Sequence, residues 1–173
     1  MKTVLGFVVC VFITTLVATA GAADFKITST AFGAGEKVPV PYTCDGKDVS
    51  PPLAWSGAPE GVKTFALIMD DPDAPGGTWV HWVIYNIPAD VTSLSKGIPT
   101  DATLEGGILQ GANSWNRTGY GGPCPPGGTH RYFFKLYALS ESLDLKPGAS
   151  KRKLLKAMDG KILGETEWMG TFR

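Results

Sequence analysis

The stretch GYGGPCPPGGTHRYFFKLYAL, residues 119–139, decides the fold that we expect. Its first twelve residues contain five glycines and three prolines, and a dense aromatic and aliphatic run follows without a spacer. The Gly/Pro-rich part is typical of a rigid loop, and the run that follows is typical of a β-strand. His130, one of two histidines in the chain, lies at this junction of loop and strand. The junction is therefore a candidate site.

Other runs rich in β-branched and aromatic residues are separated by Gly and Pro in the same way. They are FKITST (25–30), KVPVPYT (37–43), VKTFALIM (62–69), WVHWVIYNI (79–87) and EWMGTF (167–172). This spacing predicts an antiparallel β-sandwich or barrel. One helix is predicted, with Ser150 as its N-cap, an apolar face of Leu154, Leu155 and Met158, and Gly160 at its end.

Residues 1–23 are predicted to be a secretory signal peptide. Lys2 precedes an apolar run from Val4 to Val17, and the small residues ATAGAA follow. The apolar run is shorter than the roughly 20 residues that a membrane-spanning helix needs, so an uncleaved anchor is the less favoured alternative. We expect cleavage after Ala20 or Ala23, export to the periplasm or beyond, and a single domain of residues 24–173.

The charge balance gives no reason to expect a nucleic-acid or membrane partner. The chain has 16 basic and 16 acidic residues. Removing residues 1–23 removes Lys2 and no acid, which leaves 15 basic against 16 acidic residues, a net charge of −1. A near-neutral domain of this kind has no bulk attraction for nucleic acid or an anionic bilayer, and we expect no stable membrane insertion.

Two of the three cysteines, Cys44 and Cys124, lie outside the predicted signal peptide. An even number of cysteines in an oxidising compartment predicts a disulfide, and two unrelated buried thiols are the alternative.

Acidic residues follow one of the predicted strands. Asp70, Asp71 and Asp73 lie in IMDDPDAP, directly after the apolar run VKTFALIM. Pro72 and Pro75 stiffen this turn, so that a carboxylate here has a fixed direction. The alternative is an Asx-type turn, in which an aspartate only caps its own backbone.

The two histidines occur in similar surroundings. Strand alternation assigns the residues near the first histidine to two faces: Trp79, His81 and Val83 on one, and Val80, Trp82 and Ile84 on the other. By the same rule His130 and Tyr132 share a face, and Arg131 points the opposite way. A lone histidine among apolar residues is most often a core residue. Both histidines, however, follow Gly/Pro-rich turns beside large aromatics, which favours one shared pocket.

Three sequence motifs, in their order along the chain, resemble the motifs of a known family. DPDAP (71–75), WVHW (79–82) and GPCPPGGTHRY (122–132) are similar to the signatures of the phosphatidylethanolamine-binding protein family, in particular its bacterial and archaeal Raf-kinase-inhibitor-like branch. CDGKDVSPPLAW (44–55) is similar to an early segment of that branch. The resemblance extends from about residue 25 to the C-terminus.

The resemblance implies a Greek-key-like antiparallel β-sandwich with a large sheet, a small sheet and a few short helices. It also implies a pocket for phosphate-type anions, such as a phosphorylethanolamine head group. We expect no cofactor. The implied anion ligands are Asp71, His81 and His130. The implied walls are Ala74, Pro75, Trp79, Pro125, Pro126 and Tyr132. Because cysteines are not general in the family, a Cys44–Cys124 bond would be a feature of the branch that tethers the CDGKD and GPCPP loops.

Side-chain chemistry suggests a role for each charged group of this pocket. Histidines can donate hydrogen bonds to an oxyanion, and protonation adds a second donor and a charge. Asp71 can orient a histidine or meet an ammonium group of the ligand. Arg131 is expected to be structural and to pair with Asp73 behind the pocket, where either charge alone would be costly to bury.

Three other functions remain open. A hydrolase could use the Asp/His pocket, although no GxSxG turn is present and Cys124 is assigned to the disulfide. A metal could bind Asp71, His81 and His130, although the histidines are 49 residues apart without local ligand spacing. The protein could also inhibit or regulate a protease or kinase through its surface loops. We expect a non-catalytic anion-binding protein without metal, as a monomer or homodimer.

Overall fold

The fold is built from eight strands and one helix in the computed structural model, which describes residues 24–173. The predicted signal peptide lies outside the described residues. The elements are β1 (Lys26–Thr28), β2 (Leu53–Ser56), β3 (Thr64–Asp71), β4 (Trp79–Pro88), β5 (Ser93–Leu94), β6 (Leu109–Gln110), β7 (His130–Leu139), α1 (Lys151–Met158) and β8 (Ile162–Phe172). Short 3₁₀ turns lie at Val40–Tyr42 and Glu105–Gly107.

The strands form two antiparallel sheets. The small sheet has the order β1-β2-β5, and the large sheet has the order β6-β4-β3-β7-β8. The predicted mainly-β sandwich with a large and a small sheet is therefore confirmed.

The central strand β3 is buried along its whole length, which explains why residues 65–69, FALIM, form an unbroken apolar run. Leu67 and Met69 belong to a core that also contains Leu53 and Trp55 of the small sheet. The residues between them face a second core on the other side of the large sheet. This second core includes Ala66, Ile68, Val83, Tyr85, Leu154 and Met158. The large sheet thus has a packed layer on both faces.

Helix α1 covers one face of the large sheet. It begins after Ser150, whose side chain accepts a hydrogen bond from the Lys153 amide, and Gly160 follows its end with a φ of 73°. Leu154 and Met158 are buried as predicted, but Leu155 is 40% exposed. Residues four apart lie on one side of a helix, whereas the next residue is rotated by about 100° away from that side. No helix among the described residues has the length and apolar character to cross a membrane.

The predicted strand KVPVPYT is wrong. This segment contains the 3₁₀ turn Val40–Tyr42 and a single bridge from Lys37 to Thr171. Pro39 and Pro41 have no amide hydrogen for a strand ladder, which excludes a regular strand there. Conversely, β2, β5 and β6 have two to four residues each and are too short to give a clear pattern.

A β-bulge at His81 breaks the predicted alternation of β4. Met69 pairs with Trp82 and Asp70 pairs with Val80, so His81 is the extra residue between them. Val80 packs on the same side as Val83, although alternation assigned these two residues to opposite faces. The His81 ring instead lies 5.1 Å from the ring of Tyr132, measured between centroids. The bulge therefore turns His81 towards the first core and the cleft described next.

Candidate anion-binding site

A cleft of about 560 Å³ lies at one end of the large sheet. Asp71 is the last residue of β3, His81 lies near the start of β4, and His130 is the first residue of β7. Because β4 and β7 both run antiparallel to β3, the end of β3 lies beside the starts of its two neighbours. All three side chains line this space, which we call the His/Asp cleft.

Asp71 holds His130 in one orientation. Nδ1 of His130 donates a hydrogen bond of 2.7 Å to Oδ2 of Asp71, and both residues are buried. The other carboxylate oxygen of Asp71 accepts the amide hydrogen of Asp73 at 2.8 Å. The Asx-type turn, which was the alternative to a site carboxylate, and the orientation of a histidine are thus both present. With Nδ1 engaged, Nε2 is the ring nitrogen of His130 that remains for a ligand.

The backbone of the Gly/Pro-rich loop orients His81. Its Nδ1 lies 2.7 Å from the carbonyl oxygen of Gly121. A carbonyl only accepts hydrogen bonds, so Nδ1 carries the hydrogen and Nε2 remains for a ligand. Burial lowers the pKa of His81, and the hydrogen bond to Gly121 partly opposes this effect. Neutral His81 therefore offers an acceptor at Nε2, and protonated His81 offers a donor.

Two consecutive glycines allow this loop to approach its neighbours closely. A Cβ on Gly121 would lie 2.6 Å from the Trp115 ring, and one on Gly122 would lie 2.5 Å from the Tyr42 carbonyl oxygen. The Gly122 amide donates to Oδ1 of Asp48 at 2.6 Å. A side chain at either glycine would therefore displace the carbonyl that holds His81.

The predicted disulfide joins Cys44 to Cys124, with a Cα–Cα distance of 5.4 Å. Cys124 lines the cleft, and the Cys44 amide donates to the Pro123 carbonyl at 3.1 Å. The bond therefore ties the 44–48 loop to the loop that orients His81.

Two exposed tryptophans form a wall of the cleft. Trp79 is 37% exposed and Trp115 is 36% exposed, and their ring centroids lie 5.5 Å apart in an edge-to-face arrangement. The side chain of Asn113 accepts the amide hydrogens of Trp115 and Arg117, which fixes the loop that carries Trp115. Sequence reasoning missed Ser114 and Trp115, both of which line the cleft. A large aromatic in the polar segment ANSWNRTGY was the available signal.

The other residues implied as walls divide into two groups. Ala74, Pro75 and Pro126 line the cleft, whereas Pro125 and Tyr132 do not. Tyr132 is fully buried behind His81. Burial raises the pKa of its hydroxyl, and the nearby charge of Asp71 adds to this effect.

Arg131 and Asp73 form an ion pair beside the cleft. Nε of Arg131 donates to Oδ2 of Asp73 at 2.9 Å, and a terminal nitrogen donates to Oδ1 at 2.7 Å. This two-point pairing lowers the pKa of Asp73 to about 2. Both side chains contact solvent, so the expectation of costly buried charges is wrong. The pair ties the start of β7 to the turn that follows β3.

The charges of the cleft come from Asp71 and from the histidines when protonated. No lysine or arginine is among the described residues that line it. In residues 24–173, no group of three or more His, Cys, Asp or Glu side chains is arranged to hold a metal ion.

Comparisons of sequence find relatives that cover most of the chain. A sequence profile described as "Phosphatidylethanolamine-binding protein" matches residues 28–173. A protein of Methanothermobacter thermautotrophicus, described as "UPF0098 protein", is 53% identical over 143 residues, which are 83% of this chain and 95% of the relative. A protein of Aquifex aeolicus with the same description is 51% identical over 157 residues, 89% of this chain and 91% of the relative.

Comparisons of structure find the same fold. A phosphatidylethanolamine-binding protein homologue from Chlamydia trachomatis has a TM-score of 0.81 and 39% identity, and the match covers 88% of this chain and 99% of the homologue. YbcL of E. coli, described as a member of the mammalian PEBP family, has a TM-score of 0.81 and 35% identity over 87% of this chain and 99% of YbcL. Together with the profile match, these similarities show that the chain belongs to the phosphatidylethanolamine-binding protein family.

Proposed function

We propose that the protein binds small phosphate-type oxyanions reversibly in the His/Asp cleft and does not turn them over. The observation that carries this proposal is the orientation of the two histidines. Nδ1 of His130 is held by Asp71 and Nδ1 of His81 by Gly121, so that both side chains keep Nε2 for a ligand in the same cleft.

Protonation of the histidines would supply the attraction for an anion. A protonated imidazole donates from Nε2 and carries a positive charge, which makes its hydrogen bond to an oxyanion short and strong. Asp71 already accepts from His130 and from the Asp73 amide, and it is buried. This favours a positioning role for Asp71 over direct contact with an ammonium group of the ligand.

The hydroxyl and thiol groups of the cleft support binding without catalysis. Oγ of Ser114 accepts the amide hydrogen of Val80 at 2.8 Å, and Cys124 is in the disulfide. Among the described residues, no hydroxyl or thiol is hydrogen-bonded to His81 or His130, so an activated nucleophile of the Ser–His type is lacking there.

We also propose that the protein is exported. The disulfide supports this proposal, because such bonds persist in the periplasm and outside the cell and are rare in the cytosol.

Calorimetric titration with sulfate and with phosphorylethanolamine tests the proposed binding. Phosphorus NMR of the protein incubated with phosphorylethanolamine tests turnover on the same sample. Reversible binding with the ester intact is the expected result. Release of inorganic phosphate would instead identify a hydrolase, and absence of binding by both ligands would contradict the proposal.

A further inference from the structure

A second groove, of about 450 Å³, adjoins the His/Asp cleft. We call it the α1 groove. Its lining combines apolar side chains (Val80, Ala112 and Leu155), basic side chains (Lys151 and Arg152) and uncharged polar side chains (Thr78, Asn113, Ser114 and Ser150). Thr78 and Ser114 line both the α1 groove and the His/Asp cleft. The two spaces therefore meet at these two residues.

Two hydrogen bonds join Val80, which lines the groove, to Ser114, which lines both spaces. The Val80 amide donates to Oγ of Ser114 at 2.8 Å, and the Ser114 amide donates to the Val80 carbonyl at 2.9 Å. Trp79 lines the cleft and Val80 lines the groove, as expected for neighbouring residues of a strand. A ligand that reaches from one space to the other would pass along Thr78 and Ser114.

One apolar side chain of the groove, Leu155, is exposed and is not part of either hydrophobic core. Leu154 and Met158 fill the core under α1, whereas Leu155 is 40% exposed and lines the groove. A large apolar side chain beside a binding cleft is a candidate contact for an apolar part of the ligand.

The basic side chains of the groove favour an anionic ligand. Lys151 binds the buried carboxylate of Asp70, but Arg152 forms no ion pair with any residue in the described part of the chain. A positive side chain at the groove attracts a ligand with a negative head and disfavours a cationic one. The long stem of Arg152 can also cover an apolar chain while its charge stays in water.

We propose that the α1 groove binds the apolar ester group of the ligand whose anionic head occupies the His/Asp cleft. The preferred ligands are then soluble phosphate monoesters of short-chain alcohols, bound as single molecules. This proposal rests on the proposed anion-binding function. It adds a second subsite and a preference for chain length, neither of which the cleft alone would produce.

Calorimetric titration with methyl, butyl and hexyl phosphate tests this proposal, because the three share one head group. Each methylene that the groove buries should raise affinity roughly two- to fourfold, depending on how fully it is buried. Leu155→Ser should remove most of the gain from butyl and hexyl chains and leave the affinity for methyl phosphate unchanged. Leu155→Glu, which also repels the anionic ligand, should lower the gain further.

Leu163→Ser is the matched control, since Leu163 is also a leucine, 41% exposed, and does not line the groove. It should keep the full dependence on chain length. Failure of wild-type protein to bind methyl phosphate would contradict the proposed function itself. Two results would contradict the proposed role of the α1 groove and leave the proposed function intact. In the first, methyl phosphate binds but hexyl phosphate binds no more tightly. In the second, Leu155→Ser keeps the gain in affinity from the longer chains. Binding to vesicles of anionic phospholipid without binding to hexyl phosphate would also contradict the proposed role of the groove, and would indicate that the protein binds a membrane surface instead of a single soluble ligand.

Discussion

His130 donates a hydrogen bond of 2.7 Å to Asp71, although 59 residues separate them in the chain. The contact forms because the last residue of β3 lies beside the first residue of β7 in the large sheet. Asp71 also closes the turn that follows β3 by accepting the Asp73 amide. One buried carboxylate thus sets the direction of the turn and the direction of the histidine, which explains why DPDAP and THRY form one structural unit.

Replacement of either histidine should weaken anion binding and keep the fold. His130→Ala removes a charge-assisted hydrogen bond worth roughly 1.5 to 3 kcal/mol, so sulfate affinity should fall about ten- to a hundredfold. Calorimetry on wild type, His81→Ala and His130→Ala measures the change, and circular dichroism checks the fold. Lys156→Ala, an exposed change on α1 away from the cleft, is the control that should bind as wild type does. Equal affinity in all four proteins would mean that the histidines are only core residues.

Lowering the pH should destabilise the anion-free protein through His81 and strengthen anion binding. The pKa of His81 in the folded state is lowered from 6.5, so the unfolded state takes up a proton first. The stability that His81 contributes is therefore fully present above pH 6.5 and is lost as the pH falls through its folded pKa. Sulfate, which binds the protonated ring better, should offset this loss.

Thermal melts at pH 8 and pH 5.5, with and without sulfate, measure both effects. The rise in melting temperature caused by sulfate should be larger at pH 5.5 than at pH 8, and His81→Gln should reduce that difference. A sulfate effect that is the same at both pH values would argue against a protonated histidine as the anion ligand.

Reduction of the Cys44–Cys124 bond should lower the melting temperature. The bond joins residues that are 80 apart in sequence. The loop entropy that it removes from the unfolded state sets an upper limit of about 4.5 kcal/mol on its contribution to the free energy of unfolding. Melts in the presence and absence of dithiothreitol measure the change. A Cys44→Ser, Cys124→Ser double variant should melt near the reduced protein and should not respond to the reductant. Two titratable thiols in native, unreduced protein would show that the bond does not form.

Expression with residues 1–23 present should yield a shortened, exported protein. The apolar run from Val4 to Val17 and the small residues after it predict cleavage after Ala20 or Ala23. N-terminal sequencing of protein from the periplasm or medium locates the new terminus. Recovery of the chain with Met1 intact in a membrane fraction would favour an uncleaved anchor.

The sequence alone predicted several elements of the fold, the disulfide and the residues of the candidate site. The apolar run VKTFALIM predicted a strand, Ser150 predicted the start of α1, and an even number of cysteines predicted the disulfide. The motifs around Asp71, His81 and His130 predicted a common site, and these three residues do lie in one cleft. The strand and the start of the helix depend on residues that are near one another in sequence. The disulfide joins residues 80 apart and was predicted from the number of cysteines, and the common site was predicted from three separate motifs.

Contacts between distant segments decided the rest. The bulge at His81 arises from the register between β3 and β4, which a strict alternation of faces cannot reveal. Trp115 lies in the cleft because Asn113 folds its loop and because Gly121 allows that ring to approach. Leu155 is exposed because the sheet accepts only the side of α1 that carries Leu154 and Met158. The sequence determined which elements form, whereas only the packing of those elements decided which side chains border the cleft and its adjoining groove.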